Sequence, residues 1–162
     1  MDNDTHFEIE RKYLIEMPDL TVLKSKALRT VDILQTYLIS DGGEIRIRSL
    51  FENGNYKYIK TVKKSVTALR RIETESEISR EEYLAFLKGG AQKRQLRKTR
   101  YILPYKNQIF EIDIYPFWND KAIMEIELED EDDKIIFPDF IKVLREVSEE
   151  KEYRNFALAK QI

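Results

Sequence analysis

The chain has 162 residues, enough for one domain with a substantial core, and 42% of them are hydrophobic. Charged residues reach 36%, well above the usual quarter, yet 28 basic and 30 acidic side chains nearly cancel to a net −2. That balance argues against a general nucleic-acid binder, the lack of cysteine removes disulfides, zinc–thiolate sites and thiol nucleophiles, and a single histidine argues against a His-based metal site or a Ser-His-Asp triad.

The N-terminal Met1-Asp2-Asn3-Asp4 is acidic, with no apolar leader, and no run reaches membrane-spanning length. The expectation is a soluble, cytoplasmic protein. The first element is a strand over His6–Ile15, in which Glu8, Glu10 and Lys12 share one face and Phe7, Ile9, Arg11 and Tyr13 the other. Carboxylates two residues apart on a strand are about 7 Å apart, a spacing that suits hard cations such as Mg²⁺ or Mn²⁺. The neighbouring lysine can hold an anion bound to that metal. An ordinary half-exposed strand has the same pattern, so one such stretch decides little.

Met17-Pro18-Asp19-Leu20 reads as a helix entry, with Leu20, Leu23, Ala27 and Leu28 on one face. Strands are then expected at 33–39, 44–50, 56–64 and 71–78, with hairpin turns at Ser40-Asp41-Gly42-Gly43 and Glu52-Asn53-Gly54-Asn55. Ser79-Arg80-Glu81-Glu82 resembles a capping box opening a second helix, which Gly89-Gly90 ends. Strands at 95–103 and 108–115 pair across Pro104–Asn107, and a last strong strand covers 122–129. The acidic run 129–133 reads as a solvated loop, and helices are expected at 138–147 and 154–161. No linker interrupts the chain, so residues 1–162 are read as a single domain.

Nearly every strand is two-faced. One face carries Glu8, Glu10 and Lys12; Glu44, Arg46 and Arg48; Lys57 and Lys63; Arg71, Glu73, Glu75 and Glu77; Lys98 and Arg100; Glu111 and Asp113; Glu125, Glu127 and Glu129. Isoleucines, leucines, valines and tyrosines alternate with them. Two barrels satisfy that alternation: one with an oily centre and charges in water, and an inverted one with a charged lumen under a coat of helices. The helices favour the second, because each needs an apolar partner outside the barrel. Periodicity leaves both open.

In order along the chain stand E-x-E-x-K at Glu8, Glu10 and Lys12; R-x-R at Arg46 and Arg48; T-x-K at Thr61 and Lys63; and R-x-E-x-E at Arg71, Glu73 and Glu75. K-x-R at Lys98 and Arg100, E-x-D at Glu111 and Asp113 and E-x-E at Glu125 and Glu127 follow, then Glu146-Val147-Ser148 with Tyr153 and Asn155. This series resembles the CYTH superfamily, the triphosphate tunnel metalloenzymes, over essentially the whole chain. Ser148 stands where the family pattern has threonine.

The resemblance implies an α+β fold: a closed eight-stranded antiparallel barrel whose charged lumen binds a linear triphosphate, with helices packed outside. It implies metal-dependent hydrolysis of a small-molecule triphosphate, with inorganic tripolyphosphate as the leading substrate. Lys12, Arg46, Arg48, Lys63, Arg71, Lys98 and Arg100 would grip phosphoryl oxygens. Glu8 and Glu10 would hold one Mg²⁺ or Mn²⁺, and Asp113, Glu125 and Glu127 a second. The catalytic set would be Glu8, Glu10, Lys12, Lys63, Glu73 and Glu75. Lys60 points away from Lys63 and is set aside, and His6, on the Glu8 face, could touch a metal but is expected at the surface by the tunnel mouth. Tyr115 and Trp118 are expected in packing, although either could stack on an organic group.

Thiamine triphosphate and nucleoside triphosphates are the next substrates to consider. A class IV-type adenylate cyclase or a non-catalytic binder of polyphosphate or of triphosphorylated RNA ends would use the same lumen. No membrane partner is expected, and a homodimer is left open.

Overall fold

Long β-forming runs with alternating charge are stable only where both backbone edges find partners. The structure, a computed structural model, describes residues 3–40 and 43–162. Its strands are β1 (Asn3–Glu16), β2 (Arg29–Ser40), β3 (Gly43–Glu52), β4 (Asn55–Ser65), β5 (Arg70–Ile78), β6 (Gln92–Tyr105), β7 (Gln108–Ile114), β8 (Lys121–Leu128), β9 (Val143–Glu146) and β10 (Lys160–Gln161). The helices are α1 (Leu20–Lys26), α2 (Arg80–Lys88) and the single turn α3 (Asn155–Leu158), preceded by a 3₁₀ turn at Lys151–Tyr153.

Strands β1–β8 close into the expected antiparallel barrel, in the order β6-β2-β3-β4-β5-β1-β8-β7 with β7 pairing back to β6. Closure removes the open edges that a sheet of this size would otherwise present. Turn chemistry sets the hairpins. Asn53 and Gly54 both take positive φ between β3 and β4, as do Lys106 and Asn107 between β6 and β7. The turn expected at Ser40–Gly43 centres on Asp41 and Gly42, which lie outside the described residues.

The barrel is the inverted one. Tyr13, Ile15, Tyr101, Leu103, Phe110, Ile112, Met124 and Ile126 point outward and pack with Leu23 of α1 and with Ile141. Ile47 and Ile78 do the same with Tyr83 of α2. Each such side chain contributes about 1.5–3 kcal/mol when taken fully out of water, so the coat of helices and loops is where the fold gains its hydrophobic stability. Asp19 caps α1 by accepting from the amides of Thr21 and Val22. The Ser79–Glu82 capping box forms in full at the start of α2. Leu23 of α1 and Ala27 just after it reach the core, whereas Leu20 and Leu28 are exposed.

Two expected helices are absent. Residues 138–142 are irregular and lead into β9, which pairs with β1 at Tyr13–Ile15. Residues 154–161 form only one helical turn before β10 pairs with Gln95 and Arg94 of β6. The physical reason is the same in both places. β1 and β6 are each 14 residues long and outrun a neighbour: β5 follows β1 only to Ile9, and β7 follows β6 only from Thr99 onward. The backbone groups left bare on those edges take up β9 and β10, and a satisfied ladder outweighs helical spacing in short segments.

A candidate triphosphate and metal site in the lumen

Strand parity carries the charged faces inward. A cavity of about 370 Å³ runs inside the barrel, lined from β1 by Glu8, Glu10 and Lys12, from β3 by Arg46 and Arg48, from β4 by Lys63 and from β5 by Arg71, Glu73 and Glu75. Arg100 of β6, Glu111 of β7 and Glu125 and Glu127 of β8 complete the ring. Lys57 and Glu77 pair with each other at the exposed rim, and Lys60 lies outside with its ammonium 5.3 Å from the centre of the Phe86 ring.

At one end the inward positions turn apolar. Leu14, Tyr37, Leu96, Tyr115 and Ile123 cluster there with Val147 and Ala159, under Trp118, Tyr153, Phe156 and Leu158. The Tyr115 hydroxyl donates to Asn155 Oδ1 at 2.6 Å, and the Lys12 amide donates to Ser148 Oγ at 2.9 Å. These bonds draw residues 147–156 against the lumen as an end wall, and Tyr115 and Trp118 serve packing there.

Within the lumen the basic groups are braced by acids. Arg48 Nη2 donates to Glu75 Oε2 at 3.0 Å, and Lys12 Nζ stands 3.4 Å from Glu125 Oε1. Arg46 and Lys63 flank Glu73 at 3.7 and 3.8 Å, too far for hydrogen bonds. Burial pushes the Arg48 guanidinium down to about 9, helped by Arg46 alongside. Burial and the Arg46 charge likewise push Lys63 down to about 7, against the pull of Glu10. Burial raises the Glu111 carboxyl, with Arg100 opposing. Surroundings that depress Arg48 and Lys63 in this way favour added negative charge beside them, whereas, despite burial, Asp113 and Glu111 already hold Arg100 well above its ordinary value.

Lys98 and Asp113 do not open onto the cavity. They are 2% and 0% exposed and meet at 2.8 Å, while Arg100 donates to both Asp113 oxygens at 2.8 and 2.9 Å. Burial pushes Lys98 down to about 8 despite Asp113, and burial would raise Asp113, but Arg100 and Lys98 hold it well below the usual carboxylate range.

The donor set fits a metal-bound anion. Nε of Arg46 and of Arg48 and Oε1 of Glu125 are buried without hydrogen-bond partners, and so are available to an anion and to a cation respectively. The cavity lining includes seven Lys and Arg and eight Glu side chains. A triphosphate would add about four to five negative charges to a lining already near balance, and two divalent cations would offset most of them.

The structure adds Arg154, which lines the cavity from the end wall and whose side chain makes no ion pair or hydrogen bond among the described residues. Its place between Tyr153 and Asn155 in the Y-x-N segment was the available signal. The helical reading of 154–161 hid it, because a terminal helix had no reason to turn a side chain into the barrel.

Comparison with known proteins agrees with this geometry. The family model for the CYTH domain matches residues 6–156. The chain is 33% identical over 159 residues to an inorganic triphosphatase of Nitrosomonas europaea, covering 96% of this chain and 98% of that one. Among solved structures it resembles the inorganic triphosphatase NE1496, at 28% identity and TM-score 0.55, covering 96% of this chain and 95% of that one. It also shares its fold with the PH1819 protein from Pyrococcus horikoshii, at 18% identity and TM-score 0.58 over 77% of this chain and 80% of that one. With seven charged motifs meeting in one lumen and a family match across nearly its whole length, the chain belongs to the CYTH domain family.

Proposed function

We propose that this protein is a divalent-metal-dependent triphosphatase whose substrate is inorganic tripolyphosphate. The observation that carries the reading is the enclosed lumen itself, where cations from five strands and the end wall converge beside buried carboxylates that lack hydrogen bonds. Its small volume and ionic lining suit a compact linear anion better than an organic triphosphate, which would need an apolar platform. The similarity to an inorganic triphosphatase supports the same substrate.

In this reading Arg46, Arg48 and Arg100 offer planar forks to phosphoryl oxygens, while Lys12, Lys63 and Arg71 place further positive charge along the chain of phosphates. Lys98 and Asp113 stay behind the wall. Asp113, expected among the metal ligands, has both oxygens engaged, so its part is to hold Arg100 at the correct angle. Glu8 and Glu10 hold one Mg²⁺ or Mn²⁺, and Glu125 and Glu127 the second. Glu75 orients Arg48, and Glu73, set between Arg46 and Lys63, faces the same cation as Glu8. A bound divalent cation supplies charge neutralisation and lowers the pKa of a coordinated water. The side chains supply alignment and a field already organised for the transition state.

The test is a panel of tripolyphosphate, thiamine triphosphate, ATP and pyrophosphate with Mg²⁺ or Mn²⁺, run on wild type, Glu10→Gln and Arg48→Ala. Phosphate and pyrophosphate from tripolyphosphate, lost in both folded variants, is the expected result. Cyclic AMP from ATP would instead identify a cyclase, and tight binding without turnover a carrier.

A further inference from the structure

We infer that His6 joins Glu8 and Glu73 as a further protein ligand to the cation at Glu8, and that it biases that position toward metals that accept nitrogen. The inference rests on the metal-binding reading above. His6 and Glu8 are two residues apart on the same face of β1, and Glu73 of β5 is the register partner of His6. One donor atom from each of the three lies within 4.8 Å of the other two. Ligands at about 2.1 Å from a common ion stand roughly 3 to 4.2 Å apart, so the three close on a cation with a shift of under about 1 Å.

Glu8 and Glu73 are 7% and 4% exposed, yet neither carboxylate accepts a hydrogen bond among the described residues. Glu8 has its ion pair with His6 Nε2, at 3.8 Å, and those of Glu73 with Arg46 and Lys63 are no shorter than 3.7 Å. Two buried carboxylates without hydrogen bonds, facing an imidazole, are costly as they stand and complete once a cation lies among them. Glu10, the other carboxylate of the E-x-E pair, is the register partner of Glu127, farther from His6 along β1.

The donor set decides the metal. Mg²⁺ keeps to oxygen ligands and near-ideal octahedral geometry, whereas imidazole suits later first-row ions, whose affinity rises from Mn²⁺ through Co²⁺ to Ni²⁺. A histidine in this position therefore adds little to Mg²⁺ binding and much to Co²⁺ or Ni²⁺ binding.

Co²⁺ is the probe. The chain has one histidine, so any paramagnetically shifted imidazole N–H resonance that appears when Co²⁺ is added to the full-length wild-type protein belongs to His6. That signal is the expected result. In calorimetry, His6→Ala should weaken Co²⁺ binding about tenfold or more and leave Mg²⁺ binding within about twofold. Absence of the shifted resonance in the Co²⁺-loaded wild type, or equal losses for the two metals, overturns the inference. Glu8→Gln and Glu10→Gln separate the two failures. If they abolish Co²⁺ binding while His6→Ala does not weaken it, only the histidine assignment falls. If none of the three variants changes metal binding, the metal reading falls with it.

Discussion

Lys98 and Asp113 form a fully buried ion pair directly behind the lumen wall, and Asp113 passes that fixed position on to Arg100 through two further hydrogen bonds. Such a pair owes little net stability to its own attraction, but removing one partner strands the others. Asp113→Asn should therefore destabilise the protein at pH 7 by about 3–5 kcal/mol, read from urea unfolding. It should also raise KM for tripolyphosphate, because Arg100 loses its brace.

The same carboxylate sets a pH dependence. Its folded pKa lies below its unfolded value, so the stabilisation is complete above about pH 4 and is lost as pH falls toward the folded value. The stability gap between wild type and Asp113→Asn should narrow steadily below about pH 4. A gap that stays constant from pH 7 to pH 3 would contradict the assignment.

Lys63 carries a different signature. Burial and the Arg46 charge push it down to about 7, so at pH 8 an incoming polyanion should restore its proton. Calorimetry at pH 8 and saturating Mg²⁺, in buffers of different ionisation enthalpy, should show tripolyphosphate binding with uptake of most of one proton. In Lys63→Met that uptake should vanish. Identical buffer dependence in the two proteins would rule Lys63 out as the group.

Arg154 reaches the cavity without a protein partner, so its loss should affect ligand binding and leave the fold intact. Arg154→Ala should raise KM for tripolyphosphate about tenfold, as expected for one charge-assisted contact. Its melting temperature should stay within about 2 °C of wild type. A large fall in melting temperature with KM unchanged would make Arg154 a structural residue.

Metal should stabilise the protein by mass action. At a hundred times its dissociation constant, a divalent cation that binds only the folded state adds about 2.7 kcal/mol. Thermal melts should rise with Mg²⁺ or Mn²⁺, fall back with EDTA, and respond less in Glu8→Gln. A melt insensitive to both cations would count against any cation site in the lumen.

Much of this was legible in the chain. Period-two alternation names strands and sorts residues by face whatever the fold, so Glu8, Arg46, Lys63, Glu73 and Glu125 could be grouped without coordinates. Which face looks inward was not legible from alternation, because both barrels satisfy it. The apolar needs of α1 and α2, and the order of the charged motifs, pointed the right way. The segments at 138–147 and 154–161 were misread because Phe140, Ile141, Leu144 and Val147 recur at helical spacing while the overhanging edges of β1 and β6 lie far away in sequence. Arg154 was lost with that reading. The engagement of Asp113 was equally invisible, since a carboxylate held by two cations and one that binds metal look alike as letters.

The apolar cluster of Leu14, Tyr115, Ile123 and their neighbours fills one end of the charged chamber. A ligand of a chamber filled at one end enters and leaves on the opposite side, so the products of the proposed triphosphatase would occupy the passage that the next substrate needs. Shorter phosphates should therefore act as competitive inhibitors, and long chains could thread only one tip inside, to be trimmed from their ends if at all.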